Sequence, residues 1–421
     1  MSSRSEIRSG APRRRSQPLR GLRRAWRGLA AVTLLALVTP PAWSQAVCEA
    51  TDHGMQAGDS DNTAGLTKAL SECAGQIIHI AHGRYLLSPQ GFVNGMSLAA
   101  GTSIVGDGAQ GPQATVLQVA NSGNYAAVLW VRNASRVTIR NIRFEGSAYE
   151  NGCTRNLDYG HAIYVQSDSG QAAGVDSVEI SGNVFHNFNG HSWITVNAAD
   201  GSPGIGLHGP ITIANNDFDS DAQLTGGCIA TGGMGYLAAM ISIHGSDLSS
   251  QGMVENVAVT SNKLSAGYVK EGITVWSGTR DISVTSNVVA DTGARLERGA
   301  SPELGRYAIL VYHSAHERPG PQPNTVSVTD NTITNPVSCG IYAAGGENLT
   351  IRANHISGQS DHYDVTLPKG AIALNHATNV TVDGNELTGN YFGISSVGTG
   401  GLQLGDNRIA AAPGGIARKI R

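Results

Sequence analysis

Charge and aromatic residues are scarce in this 421-residue chain: Asp, Glu, Lys and Arg together make up 14% and Phe, Trp and Tyr 5%. A nucleic-acid partner needs a basic face with stacking aromatics. The basic residues here crowd instead into the first 28 positions, which hold nine arginines and one glutamate, while the whole chain carries a formal charge of −3. That leaves an acidic remainder and argues against nucleic acid. Long apolar runs are also absent beyond the N-terminus. The stretch Gly28 to Val38 follows Arg23, Arg24 and Arg27, and precedes Pro40, Pro41 and the small residues around Ser44 and Ala46. It is too short to span a bilayer and has the layout of a signal peptide. The expectation is an exported protein, periplasmic or extracellular, cleaved near residues 44–46, with no membrane span. Cysteine is sparse, at five residues. In an exported chain these point to disulfides, with Cys48 paired to Cys73, Cys153 to Cys228, and Cys339 left as a buried thiol.

Glycine is abundant, at 54 residues, without the three-residue period of collagen. It accompanies a repeat. Alternating β-branched residues run into an asparagine at Val137–Asn141, Val178–Asn183, Ile211–Asn216, Val257–Asn262, Ile282–Asn287, Val326–Asn331, Leu349–Asn354, Val380–Asn385 and Leu402–Asn407. Period-two alternation marks half-buried strands. Asparagine suits left-handed turns, and one per coil would stack into a ladder of amides inside a solenoid. A second strand falls between successive asparagines, anchored on Ile163, Ile194, Ile241, Ile273, Ile309, Ile341, Ile372 and Ile394. Extra length collects in loops at 145–160, 219–238, 291–306 and 357–369. Each coil buries its apolar side only against its neighbours.

In this respect the chain resembles the pectate-lyase-like superfamily of right-handed parallel β-helices over about residues 47–410. Asp61–Leu70 looks like the family's amphipathic capping helix. Gln76–Ile80, Gly83–Ser88, Leu98–Gly108 and Thr115–Leu117 follow in the order of its first coils. The resemblance implies an all-β solenoid with a short N-terminal cap: signal peptide 1–46, cap and first coils 47–110, β-helix 111–410 and tail 411–421. It does not settle an activity, since this fold hosts many. The Asn-Thr-Asp, Asp-Asp and Gly-His-Gly set of polygalacturonases is missing, as is the Asp-Pro-His-Asp of mannuronan epimerases. No catalytic residue therefore carries over.

Site residues follow from stacking. Residues at one offset on successive coils form columns about 4.8 Å apart, and strict alternation would turn odd offsets from each isoleucine outward. Offset plus three reads Gln166, Asn197, His244, Trp276, Tyr312, Ala344, Asn375. Offset plus one starts at Tyr164, and offset minus three contains His191, Lys270 and Arg306. Such amides and aromatics suit sugars, so Tyr164, Gln166, His191, Asn197, Trp276 and His313 are expected to bind substrate. Lys270 and Arg306 on adjacent coils repel unless an anion such as a uronate carboxylate joins them, or unless each pairs with a local acid, Glu271 or Glu303, as a surface salt bridge.

In β-elimination Arg306 would neutralise the carboxylate, Lys270 would take the proton and Tyr312 or His244 would protonate the leaving oxygen. Hydrolysis would instead use Glu271 with Asp158, Asp168 or Asp247. A non-catalytic glycan-binding solenoid is the third possibility. The expected partner is an acidic polysaccharide or oligosaccharide. No cofactor is demanded, although Asp217, Asp219 and Asp221 at the start of a loop have calcium-like spacing. The histidines, including His313 near His316 and Glu317, lack zinc spacing.

Overall fold

The computed structural model describes residues 45–416 except 89, 91–93, 121–124, 147–159, 168–174, 189–191, 199–205, 220–238, 247–251, 268, 295–305, 314–320 and 361–368. Residues 1–44 with the expected signal peptide, the Cys153–Cys228 pair and most of the four long insertions lie outside the described residues.

Alternating strands wind into three parallel sheets of 12, 12 and 10 strands, each strand pairing with its equivalent one coil away. The single α-helix among the described residues, Thr63–Glu72, covers the N-terminal end with Leu66, Ala69 and Leu70 buried. One apolar core runs from Ala50 to Ile394 along the axis. Phe144, Phe185 and Phe218 stack through it at 5.2 and 4.8 Å. Cys48 and Cys73 are joined as a disulfide, as expected, and Cys339 is buried.

The asparagine ladder is present from Asn183 to Asn407. Each side-chain Nδ2 donates to the Oδ1 of the next coil's asparagine at 2.8–3.1 Å. That same oxygen also accepts the backbone N–H of the asparagine below, as in Asn262 N to Asn287 Oδ1 at 3.0 Å. Two details differ from expectation. Asn141 stands one position early: strand pairing aligns Val137 with Val178, and Ile142 takes the ladder position, its N–H donating to Asn183 Oδ1. The left-handed turn residue is also not the ladder asparagine but the one before it, such as Asn215, Ser261, Ser286 and Asp330. The ladder asparagine itself bends inward to cap the coil below.

Candidate active site

The eight anchoring isoleucines are paired neighbours along the third sheet, Ile163 through Ile394. The columns read from the sequence are therefore real. Gln166, Asn197 and His244 are register partners, as are Tyr312, Ala344 and Asn375. The backbone N–H of Trp276 donates to Ile243 O at 2.8 Å, beside His244.

Strict alternation fails one residue before each isoleucine. Glycine or a small residue often stands there, and the position points into the core: a Cβ on Gly272 would strike Val289, and one on Gly340 would strike Ile356. The two inward neighbours turn offset minus two outward. Tyr307 meets the outer ring of Tyr342 at 4.7 Å, His161 lies on Tyr164 at 5.1 Å, and Ser192 Oγ is 2.5 Å from Thr195 Oγ1. The outer face thus has one more column, His161, Ser192, Ala239, Glu271, Tyr307, Cys339, Gly370. Sequence reading missed His161 and Tyr307. It also missed Trp130 and Arg132, which occupy the coil anchored on Leu129 rather than on an isoleucine. The signal was available: polar residues recur at minus two, where a core column would be apolar.

Two clusters result. At the upstream edge of the sheet, Lys270, Glu271, Arg306 and Ser338 are all buried. Arg306 runs along the backbone of Gly293 and donates Nη1–H to its carbonyl at 2.8 Å. Its backbone N–H donates to Ser338 Oγ at 3.1 Å. Lys270 and Arg306 are thus buried rather than exposed on the surface; Glu303 lies outside the described residues. Burial lowers the lysine's proton affinity from its ordinary value, the Glu271 charge opposes this, and the Arg306 charge adds to it. Burial also pushes the Glu271 carboxyl up to about 8, against the pull of Lys270. Both shifts favour the uncharged pair, amine beside carboxylic acid. Tyr307 is Glu271's register partner on the next strand.

At the downstream edge, His244, Trp276 and Tyr312 form a half-buried aromatic row, with ring centroids 6.0 and 4.8 Å apart. His313 Nδ1 lies 3.0 Å from Ser277 Oγ. A strand advances about 3.3 Å per residue, so this row stands on the order of 15–20 Å from Lys270. His244 and Tyr312 are not within proton-transfer reach of the lysine. Further up the sheet Tyr164 stacks on Trp130 at 5.6 Å, Arg132 lies over Trp130 at 4.8 Å, and Asn197 Nδ2 donates to Tyr164 Oη at 2.8 Å. Burial pushes the Tyr342 hydroxyl up to about 12. His191, Asp158, Asp168, Asp221, Asp247, His316 and Glu317 lie outside the described residues. Asp217 and Asp219 belong to a strand of the second sheet rather than to a loop beside this face, and Asp217 is 3.8 Å from Lys263 Nζ.

The Glu271 shift has a stability signature. The unfolded chain gives up this proton in the ordinary carboxylate range, whereas the folded protein keeps it to about 8. Stability therefore falls as pH rises across that window and levels off above it. Lys270 acts oppositely below the ordinary lysine value, where the folded state holds fewer protons than the unfolded one. Thermal melts of wild type and Glu271→Gln across this range should diverge, the variant losing less stability up to pH of about 8. Parallel curves would mean that the carboxyl is ionised throughout.

A family model described as "Right handed beta helix region" matches residues 122–356 and 301–417. A search of curated proteins returns no match. Among solved structures, the chain is similar to the A-module of a mannuronan C-5 epimerase from Azotobacter vinelandii, at 16% identity and TM-score 0.54, covering 89% of this chain and 97% of that one. It is similar to an endo-xylogalacturonan hydrolase from Aspergillus tubingensis at 13% identity and TM-score 0.55, covering 89% and 95%. It is also similar to a surface adhesin of Streptococcus pneumoniae at 12% identity and TM-score 0.57, covering 87% and 91%. These likenesses establish the right-handed parallel β-helix. Among the described residues, no helix is long and apolar enough to cross a membrane.

Proposed function

The chain belongs to the right-handed beta helix region family, and from that premise we propose that it is an exported enzyme that cleaves a uronic-acid-containing polysaccharide by β-elimination at Lys270, Glu271 and Arg306. The observation that carries this reading is the buried amine beside a carboxyl held protonated to about 8. A base and an acid are both needed in one cycle, and burial shifts the lysine toward its free amine and the carboxyl toward its acid form.

Arg306 holds the uronate carboxylate and stabilises the charge that spreads onto it as the C5 proton leaves. Neutral Lys270 takes that proton. The C5–H electron pair becomes the C4=C5 double bond, the C4–O bond breaks, and Glu271 protonates the departing oxygen. The cycle ends with an ammonium beside a carboxylate on adjacent residues, and proton return from one to the other resets the site. Glu271 replaces Tyr312 and His244 as leaving-group acid because the strand holds those two far from the lysine. They serve, with Trp276 and His313, as a distal platform for further sugar units. Tyr164, Gln166 and Asn197 do the same toward the N-terminal end. Hydrolysis needs a second carboxylate flanking the bond, and among the described residues the outer columns of this sheet contain none besides Glu271.

Base and acid on adjacent, electrostatically coupled residues would act together on one side of the sugar. Elimination from one side requires the C5 proton and C4 oxygen to lie on the same ring face, as in gluco- and manno-configured uronates. In galacto-configured uronates they lie opposite. The purified protein should therefore release products absorbing in the ultraviolet from polyglucuronate or polymannuronate, and not from polygalacturonate. Products with new reducing ends but no double bond would replace elimination by hydrolysis, and glycan binding without any product would make the protein a binding solenoid.

A further inference from the structure

A cluster at the N-terminal end takes no part in this chemistry. Cys48 lies in the first strand, His53 ends the short 3-10 turn Ala50–His53, and Cys73 caps the helix Thr63–Glu72. His53 Nε2 is 3.0 Å from Cys48 Sγ and 3.1 Å from Cys73 Sγ. Its other nitrogen, Nδ1, is 2.8 Å from Glu72 Oε2. Cys73 is buried, and Cys48 and His53 are half-buried.

Bonding two sulfurs needs no imidazole, and this imidazole is aimed. A carboxylate only accepts hydrogen bonds, so Glu72 fixes the hydrogen of a neutral His53 on Nδ1. Nε2 then presents a lone pair midway between two sulfurs. In the disulfide those sulfurs carry no hydrogen, so the lone pair faces other lone pairs. Breaking the S–S bond changes this. Two thiolates and one imidazole nitrogen, the latter oriented by a carboxylate on its far side, form the donor set of a borderline-soft divalent cation. The carboxylate–histidine contact is the arrangement that orients metal-binding histidines.

We propose that Cys48, His53 and Cys73 form a redox-gated site for a thiophilic divalent cation such as zinc. A dithiol reductant supplies two electrons and two protons to the S–S bond and is itself oxidised to a disulfide. The cation then displaces both thiol protons and binds the two sulfurs and Nε2, with water completing four ligands. Oxidation of the pair by a disulfide reverses the exchange and expels the metal. The first strand, the turn and the helix end stay tied in both states, by a covalent bond in one and by the metal in the other. The site lies at the cap, apart from the elimination centre, and stands whether or not that reading holds.

The test uses the full mature chain, treated with a dithiol, desalted without oxygen and titrated with cobalt(II) or zinc(II). The reduced protein should bind one equivalent, with thiolate-to-cobalt charge-transfer absorption and protection of two thiols from alkylation. The untreated protein should show neither. His53→Ala, which leaves both cysteines in place, should abolish the absorption, as should Cys48→Ser. Glu72→Gln should weaken binding by about 10–100-fold. Three results would overturn the proposal: a disulfide that survives the reductant in the folded protein, a reduced protein without the cobalt–thiolate band, or a His53→Ala variant that binds as tightly as wild type.

Discussion

Replacing Lys270 by alanine should reduce formation of unsaturated product by about 10³-fold or more, the scale on which a positioned base contributes to proton transfer. The residue is buried beside Glu271 and one coil from Arg306, so a simple loss of fold must be separated from a loss of chemistry. Lys270→Arg does this. It keeps the long stem and sets a permanent charge beside Glu271, which can ionise to pair with it, but a guanidinium does not release its proton near neutral pH. Lys270→Arg should melt near wild type and be as inactive as the alanine variant, with glycan binding retained. Substantial turnover by either variant would take the lysine out of the reaction.

The second large effect is on stability. Asn287 is fully buried. Its Oδ1 accepts both the N–H and the side-chain amide of Asn262, each at 3.0 Å. Its Nδ2 donates to Val259 O at 2.9 Å and to Asn331 Oδ1 at 3.0 Å. Asn287→Ala strips partners from groups on the coils to either side in a place water does not reach. Each orphaned buried group costs about 1–3 kcal/mol, so the total should exceed about 3 kcal/mol, an unusually large single-site loss. Asn141→Gly is the control. Asn141 is exposed, off the ladder and left-handed, with φ 59°, a conformation that glycine adopts without strain. Its denaturation midpoint should stay close to wild type. Equal effects at the two positions would mean that the ladder adds little beyond turn propensity.

The contrast between these asparagines shows what the sequence makes legible. The recurring motif announces the solenoid, and the isoleucine register holds through eight coils because a one-residue slip would expose every core side chain. Asn141 fits the motif but not the ladder, since the motif specifies a turn while only strand pairing specifies alignment. At the site, Lys270, Arg306 and the plus-three column emerge from counting along the strand. The outward turn of Glu271, Tyr307 and His161 does not, because counting assumes an unbroken pleat. The pleat breaks where Gly272 and Gly340 let the chain bend into the core. The separation of Lys270 from Tyr312 and His244 was hidden for a related reason. Columns show what stacks along the axis and say nothing of the width of the sheet across it.

Everything proposed for catalysis rests on Glu271 keeping its proton next to an uncharged lysine. Carbon-13 labelling of the glutamate carboxyls, with Glu271→Gln to assign the resonance, allows that carboxyl to be titrated directly in the folded protein. A midpoint near 8 is the predicted result; a midpoint in the ordinary carboxylate range would show a standing ion pair with Lys270 and would contradict the mechanism.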